Sequence, residues 1–140
     1  MLEIQIMNKN EKILGNENLK VSLPKYNWSG LKSLKYLYIS YCIFTGPITT
    51  LLVNLTQITY LILSGNNFIG SISTKSLQNL TQINYLDLSR NNFIGLIQAL
   101  FGNLTKLTYL DLSSNSFSGE IQLSLLNFAC FWLTHQTNNF

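Results

Sequence analysis

The chain has 140 residues, enough for one domain of ordinary size. Hydrophobic residues make up 46% and charged residues only 11%. That charged share is less than half the roughly 25% usual for soluble domains, so something other than charge keeps the surface in solution, or part of it is normally covered. The net charge is +3, and the nine Lys and Arg are scattered with no run, which argues against a nucleic-acid footprint.

The N-terminal stretch MLEIQIMNKNEKILG lacks a basic start followed by an unbroken apolar core, so it does not read as a signal peptide. Residues 1–30 match the rest of the chain weakly, and a degenerate repeat or irregular cap is expected there. From Leu31 the sequence repeats itself. Units start at Leu31, Leu55, Leu80 and Leu104, with Phe128 opening a fifth, so the periods are 24, 25, 24 and 24. The extra residue of the second unit lies within Ser71 to Leu77. Self-similarity at such a period predicts a solenoid of stacked coils.

Each column of the repeat has a physical role. The pairs Leu37/Ile39, Leu61/Leu63, Leu86/Leu88 and Leu110/Leu112 alternate with other residues. Period-2 spacing puts each pair on the inward face of a short strand. Cys42, Asn66, Asn91 and Asn115 follow where the chain turns, and a buried amide there can satisfy backbone groups of adjacent coils. Phe44, Phe68, Phe93 and Phe117 are predicted to stack as an internal spine. Gly46, Gly70, Gly95 and Gly119 supply permissive dihedrals, and Ile48, Ile72, Ile97 and Ile121 return to the core.

With these columns in place, the pattern L-x-x-L-x-x-L-x-L-S-x-N-x-F-x-G-x-I resembles the plant extracellular leucine-rich repeat. The units LTYLDLSSNSFSGEI and INYLDLSRNNFIGLI are close to its consensus. Asn16 to Ser29 also resembles the region before the central repeats of plant receptor-like proteins. There Leu19, Leu23 and Pro24 match F-x-G-x-I-P, with Val21 in the glycine's place. The resemblance implies an α/β-type repeat solenoid: a right-handed superhelix with one short parallel strand per coil on the concave face and loops or 3₁₀ turns on the convex side. The expected organisation is a cap at 1–30, repeats at 31–54, 55–79, 80–103 and 104–127, and a broken repeat or truncated tail at 128–140.

Several departures stand out. The family's proline after the isoleucine is replaced by Thr49, Ser73, Gln98 and Gln122, and no cysteine-paired N-terminal cap is present. After Phe128 the register is expected to fail, because Thr134 and Gln136 fall where strand leucines belong. Phe128, Phe131, Trp132 and Leu133 then cannot all point inward, and an exposed apolar patch is expected. The longest apolar stretch, Ile121 to Leu133, is interrupted by Gln122, Ser124 and Asn127 and is too short to span a bilayer, which needs about 20 apolar residues.

Catalysis needs a nucleophile, base or metal constellation. The single histidine, His135, lies in the tail, and Cys42 and Cys130 are too far apart for a metal-ligand spacing, so no enzyme activity, cofactor or metal is expected. Asp87 and Asp111 recur at one repeat position, on strands about 5 Å apart. The L-D-L of the repeat accounts for them better than paired acid–base chemistry does.

The exposed strand positions are expected to form a concave face. Its columns are Tyr36, Tyr60, Tyr85 and Tyr109; Tyr38, Ile62, Asp87 and Asp111; Ser40, Ser64, Ser89 and Ser113; and Tyr41, Gly65, Arg90 and Ser114. Tyrosines make good binding anchors, and they also stiffen a sheet by cross-strand contact, which is the commoner role. Tyr38, Tyr41, Ile62 and Arg90 depart most from the repeat and are the first candidates for ligand contact, with Tyr60, Tyr85 and Tyr109 beside them. Four N-x-S/T sequons start at Asn27, Asn54, Asn79 and Asn103. They mark surface sites for glycans in a secreted protein, and three of them also repeat as a column.

The resemblance implies a fragment of the ectodomain of a plant cell-surface receptor-like protein or receptor kinase. Its partners would be a protein or peptide ligand and a co-receptor kinase, in defence or developmental signalling. Any membrane attachment would lie in other parts of the parent protein. A secreted inhibitor of a cell-wall-degrading enzyme and an intracellular scaffold are the rival readings.

Overall fold

The computed structural model describes residues 5–8, 11–14, 20–22, 28–97, 104–121 and 130–132. They form a solenoid with two parallel sheets. The first sheet is built from β1 (Gln5–Asn8), β2 (Glu11–Leu14), β4 (Tyr36–Ile39), β6 (Tyr60–Ile62), β8 (Tyr85–Asp87), β10 (Tyr109–Asp111) and β12 (Cys130–Trp132), in that order. All its neighbours are parallel except β1, which folds back on β2 as an antiparallel hairpin. The register is uniform: Tyr36, Tyr60, Tyr85 and Tyr109 pair in a row, and so do Leu37, Leu61, Leu86 and Leu110. The strands begin one residue earlier than the leucine pairs and end before the serines.

The second sheet corrects the expectation of one strand per coil. It comprises β3 (Lys20–Ser22), β5 (Ile43–Pro47), β7 (Asn67–Ser71), β9 (Asn92–Leu96) and β11 (Ser116–Ser118). The phenylalanine and glycine columns lie on these strands, and successive strands are staggered so that the glycine of one coil pairs with the phenylalanine of the next. Gly46 pairs with Phe68, Gly70 with Phe93 and Gly95 with Phe117. The glycines have φ of 97°, 107° and 144°, a conformation that side-chain-bearing residues rarely adopt. Val21 pairs with Phe44 in the same stagger, so it occupies the glycine's register, as the resemblance implies.

The convex side also differs from loops and 3₁₀ turns alone. It carries single α-helical turns, α1 (Thr49–Leu52) and α2 (Thr74–Leu77). Ile48 and Ile72 are equivalent core residues, and Ser73 is the additional residue of the longer unit. It serves as N-cap, its hydroxyl accepting from the Ser76 N–H at 3.3 Å, whereas α1 has no side-chain cap.

One continuous core runs through the coils. Leu37, Ile39, Leu61, Leu63, Leu86 and Leu110 are all buried, with Ile48, Ile72, Ile97 and the convex leucines packed behind them; Ile121, expected in the core, is instead exposed, lying past β11 at the end of the second sheet, where among the described residues no later strand of that sheet covers it. Phe44, Phe68, Phe93 and Phe117 are fully buried; the first three lie with successive ring centroids 6.0 and 6.2 Å apart. A residue so placed meets its own counterpart one coil on, which is why a repeated sequence suffices to fill the core.

The chain ends contribute to both sheets. β2 stands in register with β4, placing Lys12 in the row of Leu37 and Leu14 in that of Ile39. β12 pairs with β10, and Phe131 takes the register of Leu110. The 24-residue period would have put Thr134 there. The chain returns to the sheet sooner, so the expected loss of register after Phe128 does not prevent another strand from joining. Phe128, Leu133, Thr134, His135 and Gln136 lie outside the described residues.

Candidate ligand-binding face

The outward positions of the first sheet are built by alternation. On β4 the inward Leu37 and Ile39 are buried, and the intervening Tyr36 and Tyr38 are half-buried on the other side. The same pattern gives β6 Tyr60 and Ile62, β8 Tyr85 and Asp87, and β10 Tyr109 and Asp111. In-register parallel pairing sets each tyrosine beside the next. Ring centroids lie 5.4 Å apart for Tyr36–Tyr60, 5.7 Å for Tyr60–Tyr85 and 3.9 Å for Tyr85–Tyr109, the last pair with planes only 2° apart. Each such pair is worth about 0.5–1.5 kcal/mol beyond its buried area, so the ladder stiffens the sheet whatever else it does.

Asp87 and Asp111 continue the row that begins with Tyr38 and Ile62. Each carboxylate accepts a backbone N–H two residues on: Ser89 N to Asp87 Oδ1 at 2.9 Å, and Ser113 N to Asp111 Oδ1 at 2.8 Å. This fixes the carboxylates at the strand ends and accounts for their recurrence. The phenol of Tyr109 is held well above its ordinary pKa, first by burial, then by its hydrogen bond to Tyr85, with the Tyr85, Asp111 and Asp87 charges adding to the shift. Below pH about 10, folded and unfolded chains both keep this proton. Above it the unfolded chain ionises first, so stability falls as pH rises toward the folded pKa. Urea midpoints at pH 9 and 10.5 are expected to drop less for Tyr109→Phe than for the parent chain, and an equal drop would remove Tyr109 as the cause.

The serine column is corrected. Ser64 and Ser89 are buried, and Ser40 and Ser113 only partly exposed, because all four lie past the strand ends where the chain turns inward. The fourth column is likewise not on the strands. Tyr41, Gly65, Arg90 and Ser114 form the turn itself, with φ of 51°, 68°, 53° and 53°. Their N–H groups bond across coils, Tyr41 to Ser64 O at 3.0 Å, Gly65 to Ser89 O at 3.1 Å and Arg90 to Ser113 O at 2.9 Å. The Gly65-Asn66 dipeptide is a turn signal that could have revealed this in the sequence. Tyr41 and Arg90 are exposed at the rim of the face, and the Tyr41 ring lies over Gly65, where an added Cβ would come within 2.8 Å of it.

Beneath the rim sits the asparagine ladder. Asn66 Nδ2 donates to Ile39 O of the preceding coil at 2.8 Å, and to Leu63 O and Ser64 O of its own turn at 3.1 and 3.2 Å. Its Oδ1 accepts from Phe44 N at 3.2 Å. Asn91 and Asn115 repeat these bonds one and two coils on. At Cys42 the thiol donates to Ser40 O at 3.3 Å.

Of the sequon asparagines, Asn54 and Asn79 are half-exposed just after α1 and α2, while Asn27 and Asn103 lie outside the described residues. Among the described residues no group of three His, Cys, Asp or Glu could hold a metal, and no helix is long and apolar enough to cross a membrane.

Comparisons place this architecture. A leucine rich repeat model matches residues 56–117, and a second leucine rich repeat model matches residues 33–55. No curated protein matches the chain at a significant level. Among solved structures, that of the Arabidopsis receptor kinase HAESA with the peptide hormone IDA and the co-receptor SERK1 superposes with a TM-score of 0.76 at 30% identity, over 92% of this chain and 22% of that one. The PEPR1–AtPEP1 structure gives 0.74 and 29%, over 92% and 18%. The BIR3–SERK2 complex from Arabidopsis thaliana gives 0.66 and 28%, over 86% and 67%. The chain thus spans about a fifth of the HAESA and PEPR1 chains. With adjoining matches from 33 to 117, more than half its length, and with these structural relatives, the chain belongs to the leucine-rich repeat family and is built like part of a plant receptor-kinase ectodomain.

Proposed function

We propose that this chain is a non-catalytic recognition module that binds a peptide or protein on the outward face of its first sheet. The observation that carries the reading is the row Tyr38, Ile62, Asp87 and Asp111 beside the stacked tyrosines, with Tyr41 and Arg90 at the rim. It combines apolar area, hydroxyls and fixed carboxylates on rigid strands, which suits an extended peptide with apolar and basic side chains. The likeness to HAESA and PEPR1, whose structures contain a peptide hormone and AtPEP1, supports the same class of ligand here. SERK co-receptors in the related complexes support a co-receptor kinase as second partner. In this reading the parent protein acts at the outer face of the plasma membrane, in defence or developmental signal perception.

A displayed library of random short peptides, selected on the full chain, tests the site. Ile62→Asp introduces the L-D-L already present in the next two coils, so the fold should tolerate it. Combined with Arg90→Glu it is expected to weaken the selected peptides by about tenfold or more, some 1.4 kcal/mol. Ile94→Ser, on the outer face of the second sheet, should leave them bound. Peptides indifferent to the first pair and sensitive to Ile94→Ser would move the site to the other sheet.

A further inference from the structure

The tyrosine row is uneven in a way that peptide recognition does not use. The Tyr36–Tyr60 and Tyr60–Tyr85 rings stand 5.4 and 5.7 Å apart, with planes inclined at 23° and 19°. Tyr85–Tyr109 closes to 3.9 Å with the planes 2° apart. Strand pairing does not impose the difference, because all three pairs are directly opposed in the same parallel register. The side chains do: the Tyr85 and Tyr109 phenols are hydrogen-bonded to each other, which holds the last pair in its stack. Tyr85 and Tyr109 are half-buried and Tyr60 is exposed, so small solutes reach the row.

A face-to-face stack of phenols is the approach geometry of one reaction. When a phenol loses an electron and its proton, the unpaired electron spreads over the oxygen and the ortho and para ring carbons. Two such radicals join through an ortho carbon of each. The new bond forms by overlap of π orbitals, perpendicular to both ring planes. Parallel rings 3.9 Å apart are therefore near the reacting geometry, in which reacting atoms stand about 3–3.5 Å apart, and the wider, tilted pairs are not. Negative charge beside a ring eases removal of its electron, and the Asp111 and Asp87 carboxylates both act on Tyr109. A radical formed first at exposed Tyr60 passes to Tyr85 by electron exchange between adjacent rings.

We propose that Tyr85 and Tyr109 form an oxidation-sensitive pair that hydrogen peroxide, acting through a haem peroxidase, joins by a carbon–carbon bond between ortho positions, fastening the third coil to the fourth. Each phenol gives up one electron and one proton, and the two radicals couple. The hydrogens on the joined carbons then shift to the oxygens and restore both phenols. The peroxide takes up the two electrons and two protons and leaves as two waters. The joined coils cannot part, and the outward face is fixed around its two carboxylates.

The three pairs of the row are 24, 25 and 24 residues apart, so loop closure favours none of them in the unfolded chain and a preference reports the folded geometry. The full chain, kept dilute, is treated with hydrogen peroxide and a haem peroxidase. Dityrosine fluorescence follows the reaction, and peptide mass spectrometry maps the monomeric product. A monomer lighter by two hydrogens is expected, with Tyr85–Tyr109 linked at least about tenfold more than either other pair. Treatment in urea should remove the preference. Tyr85→Phe keeps the ring and should abolish the Tyr109 link, while Tyr36→Phe leaves it intact. An even distribution over the three pairs, a preference that survives urea, coupling only between chains, or no coupling would each overturn the proposal. None of these results would bear on the peptide-binding reading.

Discussion

Gly95→Ala is expected to destabilise the chain by upward of about 3 kcal/mol, more than alanine at Gly70 or Gly30. Gly95 lies on β9 with φ of 144°, and an added Cβ would stand 2.4 Å from the Ile72 carbonyl oxygen and 3.5 Å from its carbon. These are backbone atoms of the preceding coil. They cannot retreat cheaply, because the Ile72 side chain is buried in the core and its N–H bonds to Ile94 O at 2.9 Å. Relief therefore requires the two coils to separate locally. Gly70 provides the internal comparison. Its φ is 107°, so alanine is strained there too, but the nearest atom is Pro47 Cβ at an ordinary 3.5 Å. Gly30 has nothing within 4 Å, and Gly30→Ala should stay within about 0.5 kcal/mol of the parent. Denaturant midpoints should fall in the order Gly30, Gly70, Gly95. Equal shifts for Gly70→Ala and Gly95→Ala would show that the close approach to Ile72 does not govern stability.

Asn91→Ala should cost about 2–4 kcal/mol, while Asn92→Ala, one residue on, stays within about 0.5. The two asparagines differ only in where the turn sends them. Asn91 is buried, accepts from Phe68 N at 3.1 Å and donates to Leu63 O, Leu88 O and Ser89 O at 2.9, 3.2 and 3.0 Å. Alanine leaves a buried amide of one coil and carbonyls of two coils without that partner, and each stranded group costs about 1–3 kcal/mol before relaxation. Asn92 opens β9 and is exposed. Chemical denaturation of the two variants decides the matter, since comparable midpoint shifts would mean that the ladder does not hold the coils together. Asn91→Asp is a sharper variant, because it keeps the acceptor for Phe68 N and loses every donor.

The sequence by itself determined the period, the core columns, the phenylalanine spine and the asparagine position. In a solenoid the neighbour of a residue is its counterpart in the next coil, so a column such as Leu61, Leu86 and Leu110 is already a statement about packing. The tyrosine ladder was legible for the same reason. What only the tertiary structure decided depends on register between coils. The second parallel sheet joins short segments whose partners lie in neighbouring coils, and nothing local distinguishes Asn67–Ser71 from an irregular turn. Whether Ser64, Tyr41 and Arg90 belong to the outward face was set by where the strands stop, and they stop where the left-handed turn at Tyr41, Gly65, Arg90 and Ser114 begins. The strands at the two ends were hidden for different reasons: Lys12 keeps the period but puts a charged residue in the leucine row, whereas Phe131 reaches that row ahead of the period, and backbone pairing tolerates both where a sequence pattern does not.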